Sequence, residues 1–195
     1  MNILQAKSTP FLVGKTLYLR GLIESDSEGS YAGWFNDEEV CSGNSHHVYP
    51  YSQESSLKYI HFAQETKDHL ILAIVTKEND AHIGNIALQD IHPIYHSADF
   101  SILIGDKSAW GSGIGSEAGR LICDHGFNSM NLHRIACGTF ENNTSMQRLA
   151  LSLGMIKEGV RREAAFKNGR YQDIIEYGVL RDDYVQKWFP GERAE

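Results

Sequence analysis

The chain has 195 residues, 42% of them hydrophobic and 22% charged, with a net charge of −7. That length and balance predict one globular domain over 1–195 with a sizeable core, and the acidic excess argues against a nucleic-acid partner, which needs clustered Lys and Arg. No apolar run is long enough to cross a bilayer, no basic-then-apolar leader opens the chain, and Cys41, Cys123 and Cys137 fit neither a metal spacing nor a complete disulfide set; a cytoplasmic protein without metal or membrane partner is expected.

Residues 16–22 read as a first strand, and residues 26–36 and 53–66 as helices on polar surfaces. The loop between those helices carries Gly43, the pair His46-His47, Tyr49, Pro50 and Tyr51. Residues 70–75 are a continuous apolar run, as in a central strand, and residues 81–89 follow the turn signal Asn79-Asp80, which predicts a hairpin. Residues 98–104 alternate, with Ala98, Phe100, Ile102 and Ile104 on one face and Asp99, Ser101 and Leu103 on the other. Residues 116–130 predict a helix whose apolar stripe is Ala118, Leu121, Ile122 and His125, and residues 134–139 another strand. The run Asn142-Asn143-Thr144-Ser145 supplies capping residues for a helix with Met146, Leu149, Ala150 and Leu153 on one face, ended by Gly154. A last strand over residues 171–180 follows the turn Asn168-Gly169. This order predicts an α/β fold whose sheet is parallel only around the segment that joins residue 104 to residue 116.

That segment, Trp110-Gly111-Ser112-Gly113-Ile114-Gly115-Ser116, is the most telling stretch. Glycines between a strand and a helix start allow positive φ and present free N–H groups at the positive end of the helix dipole, a site for phosphate or pyrophosphate. A P-loop is excluded, because no Lys follows the glycines. Gly113-x-Gly115-x-x-Ala118 satisfies the G-x-G-x-x-A variant of a dinucleotide site, with Glu141 near the end of the next strand. An antiparallel hairpin before the loop and no further crossovers after it argue against that Rossmann-like alternative.

The motifs in order resemble the GNAT superfamily of acetyl-CoA-dependent N-acetyltransferases, and within it the branch that acetylates ribosomal-protein N-termini. Trp110-Gly-Ser-Gly-Ile-Gly115 is similar to the superfamily's pyrophosphate loop, with Trp at the first place as in that branch, followed by Glu117-Ala118. Asn131-Leu132-His133-Arg134, Asn142-x-x-Ser145, Leu153-Gly154-Met155, Glu158-Gly159, Arg161 and Gly169-x-Tyr171-x-Asp173 follow, and Trp34-Phe35-Asn36-Asp37 precedes. The resemblance implies a mixed, mostly antiparallel central sheet, helices on both faces, and a parallel pair that splays apart where CoA binds. It implies transfer of an acetyl group from acetyl-CoA to a primary amine by direct attack, the acceptor being a protein N-terminus or a small molecule, and a monomer or homodimer.

Carried over residue by residue, the resemblance places the backbone of Gly111, Ser112, Gly113, Ile114, Gly115 and Ser116 on the pyrophosphate, with Trp110 beside it. Ile102, Leu103 and Ile104 would line the pantetheine arm, a strand N–H at Ile102 or Leu103 would polarise the carbonyl, and Asn142 would bond the arm. Many members protonate the leaving thiolate with a Tyr of the last helix; none stands between Asn142 and Gly154, and Ser145 or a water takes that role. Neutralising a lysine-like amine costs about 4–5 kcal/mol at neutral pH and an α-amino group only about 1 kcal/mol. Candidate bases are Asp99, where members often carry Glu, Glu163, and His96; the branch's carboxylate falls at Ala165 here. Trp34, His46, His47, Tyr49 and Tyr51 are candidates for the acceptor pocket, and Arg148 for the CoA phosphates. The absent helix Tyr also motivates a second reading, a non-catalytic acyl-CoA-binding module on the same fold.

Overall fold

A computed structural model describes residues 9–190; the ends of the expected domain, residues 1–8 and 191–195, lie outside the described residues. Among the described residues eight strands form one sheet: β1 (Leu12–Val13), β2 (Leu17–Gly21), β3 (Leu70–Thr76), β4 (His82–His92), β5 (Ser97–Ile104), β6 (Arg134–Phe140), β7 (Ile156–Lys167) and β8 (Arg170–Leu180). Their spatial order is β1-β2-β3-β4-β5-β6-β8-β7, antiparallel throughout except for β5 beside β6. The helices are α1 (Tyr31–Phe35), α2 (Gln53–Glu65), α3 (Ile114–Asn128), α4 (Thr144–Ser152) and α5 (Arg181–Trp188).

The apolar run of β3 is buried on both faces, which explains why it does not alternate with polar residues. Leu72 and Ile74 enter a core with α3, α4 and α5, whereas Ile71, Ala73 and Val75 enter a second core with α1 and α2. In β5, Ala98 and Phe100 face the first core and Leu103 packs on the second, as the alternation predicts. The second core takes no residue from β6, β7 or β8 among the described residues. That half of the face carries charge instead: Arg134 pairs with Glu158, and Arg161 with Glu176.

Several expectations need correction. The helix predicted over residues 26–36 is a short 3-10 turn, Glu24–Glu28, followed by the brief α1. Asp26 is drawn inward at the start of that segment, where Arg20 holds it with two hydrogen bonds of 2.8 and 2.7 Å. Burial alone would raise the Asp26 pKa, but Arg20 and His82 outweigh it and hold the carboxyl far below the usual range. The buried face of α3 is rotated from the predicted stripe: Ala118, Gly119, Ile122, Cys123, Gly126 and Phe127 are buried, while Leu121 and His125 sit at its margin. Three elements are additions to the predicted set, the two-residue β1, the 12-residue β7 at the sheet edge and α5. The turn at Asn168-Gly169 is as predicted, both residues at positive φ between β7 and β8.

Candidate active site

The parallel contact between β5 and β6 lasts three rungs, from Ser97 beside Arg134 to Asp99 beside Ala136, and then the strands part. Beyond the fork β6 stays paired with β8 through Phe140, while β5 stays paired with β4 through Ile104. Beyond Asp99 the inner edge of β5 therefore has no strand partner among the described residues. Gly105 N–H donates to the Ile83 carbonyl at 2.9 Å, and the β4–β5 register is regular from Gln89/Asp99 to Gly84/Ile104. Alternation along the ladder then turns the peptide groups of Ser101 and Leu103 toward β4, and those of Ile102 and Ile104 into the gap. The Ile104 carbonyl is taken by Trp110 Nε1 at 2.9 Å, so the indole ties the glycine loop to the end of β5. Among the described residues, nothing takes the N–H or the C=O of Ile102.

The loop itself leaves a row of backbone donors free at the start of α3. Gly111 and Gly113 sit at φ +73° and +86°, and a Cβ on either would meet open space rather than protein. Gly113 is the N-cap of α3 in the left-handed region, and its carbonyl already accepts from the N–H groups of Ser116 and Glu117. The N–H groups of Gly111, Ser112, Gly113, Ile114 and Gly115 have no hydrogen-bond partner among the described residues. Unsatisfied donors at a helix start, with the dipole behind them, favour a phosphate. Glu117 fixes the start of α3 by accepting from Thr16 N–H at 2.8 Å and Thr16 Oγ1 at 2.6 Å.

Fork and loop open into one cleft of about 660 Å³, a size suited to a cofactor-sized ligand. Its walls bring together Ile102, Leu103 and Ile104 of β5 with Trp110, Gly111, Gly113, Ile114, Gly115 and Ser116 of the loop, and with Ser145 and Arg148 of α4. Ser112 is turned aside, its Oγ donating to the Ala109 carbonyl at 2.5 Å. Asn142 is exposed and does not line the cleft; the next residue does. Asn143 is the N-cap of α4, its Oδ1 accepting from Met146 N–H at 3.0 Å and its Nδ2 donating to the Gly43 carbonyl at 3.0 Å. The cap comes from within the run expected to supply it, at Asn143. Ser145 Oγ, in the first turn of α4, accepts from Arg148 Nη2 at 3.4 Å.

The candidate bases separate. Asp99 stands on the last rung before the fork, exposed as a residue and on the opposite face of β5 from Phe100 and Ile102. Its pKa is raised, first by partial desolvation of the carboxyl and then by the charges of Asp90 and Glu176, against the opposing pull of Arg134 and Arg161. Glu163 lies in a bulge of β7 at φ +50°, its N–H held by Asp173 Oδ1 at 2.8 Å, and is not part of the cleft wall. His96 is exposed, and its carbonyl accepts from the N–H groups of His133 and Arg134.

The early aromatic residues do not form the cleft wall. Trp34 is buried in the second core, His46 rests edge-on against Phe35 with centroids 4.7 Å apart, and Tyr49 is exposed. Glu39, Val40, Ser42, Gly43 and Asn44 line the cleft instead, from a run of turns that carries no periodic signal. Among the described residues no group of three His, Cys, Asp or Glu side chains could hold a metal ion, and no helix is long and apolar enough to cross a membrane.

The family profile described as "Acetyltransferase (GNAT) domain" matches residues 16–156. The chain belongs to that family, and the class of enzyme so defined is an acetyl-CoA-dependent N-acetyltransferase. Among its relatives, a probable N-acetyltransferase YjcK of Bacillus subtilis is 27% identical over 182 residues, 90% of this chain and 99% of that protein. An uncharacterized N-acetyltransferase p20 of Bacillus licheniformis is 33% identical over 113 residues, 58% of this chain, and the match spans only 63% of that protein's length. The crystal structure of spermidine N-acetyltransferase from Vibrio cholerae, in complex with CoA and spermine, superposes with a TM-score of 0.79 at 25% identity, over 87% of this chain and 98% of that one.

Proposed function

We propose that this protein binds acetyl-CoA in the fork between β5 and β6 and moves its acetyl group to a primary amine that arrives from the Asp99 face of the sheet. The observation that carries the reading is the coincidence of two sets of free backbone groups, those of Ile102 on the parted strand edge and those of Gly111 to Gly115 at the start of α3. A ligand with a pyrophosphate at one end and an extended amide-bearing arm satisfies both.

In this reading the donors of Gly111, Ser112, Gly113, Ile114 and Gly115 hold the pyrophosphate, and Arg148 on α4 adds a positive charge at the cleft wall. Ile102 N–H is the oxyanion donor, since the Leu103 peptide is turned toward β4. When bound, acetyl-CoA supplies an activated thioester. Asp99, with its raised pKa, accepts the amine's proton through a water, and a base closer to neutrality is better matched to that task. Ser145 Oγ donates to the departing thiolate and is replenished from solvent at its exposed position.

The acceptor is a primary amine; the solved relative that holds spermine supports a polyamine, and the Trp110 form of the loop resembles enzymes that take a protein N-terminus. Steady-state thiol release from acetyl-CoA across polyamines, amino sugars and N-terminal peptides tests the reading. Acceleration by at least one amine class is expected. Tight acetyl-CoA binding with no amine accelerating release supports the non-catalytic module instead.

A further inference from the structure

Glu117 stands in the first turn of α3, one turn past the N-cap Gly113; Gly115 and Ser116 line the cleft, and Glu117 does not. A side chain at that place points back toward the helix start and shares a face with residue 113, about 5–6 Å apart at the β position. An acid in a first turn stabilises a helix, but it also sets a negative charge beside donors suited to a phosphate. Here the charge is drawn sideways, into the turn between β1 and β2. Thr16 donates to Glu117 Oε1 from its N–H at 2.8 Å and to Oε2 from its hydroxyl at 2.6 Å. Burial works to raise the Glu117 pKa, but the bonds from Thr16 outweigh it and hold the carboxyl below the usual range. Gly14 supplies the room, because a Cβ there would strike Glu117 Oε1 and stand 3.2 Å from Glu117 Cδ. The turn is itself fixed: Gly14 N–H donates to the Leu17 carbonyl at 2.9 Å, Lys77 N–H to the Thr16 carbonyl at 2.9 Å, and Lys77 Nζ to the Gly14 carbonyl at 2.5 Å.

We propose that Gly14 and Thr16 are positioning residues for CoA binding, which latch the Glu117 carboxylate into the β1–β2 turn and keep its charge off the pyrophosphate cradle at Gly111 to Gly115. This rests on the reading of that loop as the seat of the pyrophosphate. The latch lets one helix start meet two demands, a first-turn acid for the stability of α3 and an open positive end for the ligand. A carboxylate released from the turn reaches back over Gly113 and Ile114 and competes with the pyrophosphate for the same N–H groups.

The test is calorimetric titration of CoA into the full chain carrying Gly14→Ala, Thr16→Val or Glu117→Gln, and into the first two each combined with the third. Gly14→Ala evicts the carboxylate and weakens CoA binding by about three- to tenfold, the effect of one carboxylate about 6 Å from one or two phosphate charges in water. Thr16→Val, which loses the hydroxyl and leaves the space at Gly14 unchanged, acts in the same direction by less. Glu117→Gln binds CoA at least as tightly as the parent, although its Tm falls by about 1–4 °C with the loss of the first-turn charge. Adding Glu117→Gln to either turn variant returns the affinity to within about twofold of Glu117→Gln alone. The Gly14→Ala deficit shrinks between about 0.01 and about 1 M ionic strength, as the Debye length falls from about 30 to about 3 Å. A Glu117→Gln variant that loses as much affinity as Gly14→Ala overturns the proposal. So does a deficit that neither salt nor Glu117→Gln relieves, because the turn then acts through the shape of the helix start and not through charge. Affinity unchanged in both turn variants overturns it too. A parent protein that does not bind CoA overturns the reading of the cradle and the latch with it, and that single observation tells the two failures apart.

Discussion

Gly113→Val puts the cradle to its hardest test. Gly113 stands at φ +86° with nothing within 4 Å of the point a Cβ would occupy, so the β-carbon of a valine is accommodated without a clash beside the free N–H groups. The cost to folding is then conformational, about 1–2 kcal/mol for an L-residue in the left-handed region. For a chain of this length that lowers Tm by about 2–8 °C. The cost to binding is larger. Each hydrogen bond to a charged group contributes about 1.5–3 kcal/mol, so losing two weakens CoA binding by about 3–6 kcal/mol, or roughly 10²- to 10⁴-fold. Gly159→Val is the control: its Cβ also meets nothing within 4 Å, but it lies on the edge strand β7, outside the cleft wall. Calorimetry on both folded variants reads the difference. Undiminished CoA affinity in Gly113→Val, with circular dichroism unchanged, refutes the cradle.

Ser145→Ala should lower kcat by about 10²-fold while leaving CoA affinity nearly unchanged, as expected for a lost general acid; an unaltered kcat assigns the proton to water. Asp99→Asn should remove an acid limb from the pH profile of kcat/KM. Because the Asp99 pKa is raised, that limb lies above the ordinary aspartate value of about 3.9, and activity rises with pH through it until the carboxyl is ionised; an acid limb unchanged in Asp99→Asn gives the base role to another group. Asp26→Asn leaves Arg20 buried without its counter-charge, and urea unfolding at neutral pH should show a loss of about 3–5 kcal/mol. The Asp26 pKa is depressed in the folded state, so its contribution is complete above the unfolded value near 3.9 and fades as pH falls below it. The gap between parent and variant should therefore narrow from about pH 4 downward; a gap independent of pH contradicts the assigned ion pair.

The elements that bury one clean face are legible in the sequence, and those whose environment comes from distant parts of the chain are not. β5 alternates because a core lies on one side and a different surface on the other, and its period of two reads directly. β7 gives no such signal because an edge strand that is exposed along nearly its whole length has no apolar face to repeat. The α3 stripe reads a step out of place because Gly119, Cys123 and Gly126, small residues that carry little hydrophobic signal, are what let that helix lie against the sheet and α4. Asn142 and Asn143 offer the same cap chemistry one position apart; in the fold Asn143 makes the capping bond to Met146 N–H and also reaches the Gly43 carbonyl, 100 residues away. The residues 37–44 that wall the cleft show no periodicity, since their placement comes from Lys107 and Asn143 rather than from a helix or ladder. Gly111 and Gly113 are readable because positive φ leaves few alternatives to glycine.

The proposed seat of CoA is the open edge of β5, with its pyrophosphate on the start of α3. Titrating CoA into isotope-labelled protein and following backbone amide resonances reads that placement residue by residue. The amides of Gly111, Gly113, Ile114, Gly115 and Ile102 should shift together and saturate at one affinity, while those of Gly159 and Gly169 stay still. Saturable shifts confined to other residues, or a response to NAD with none to CoA, would contradict it.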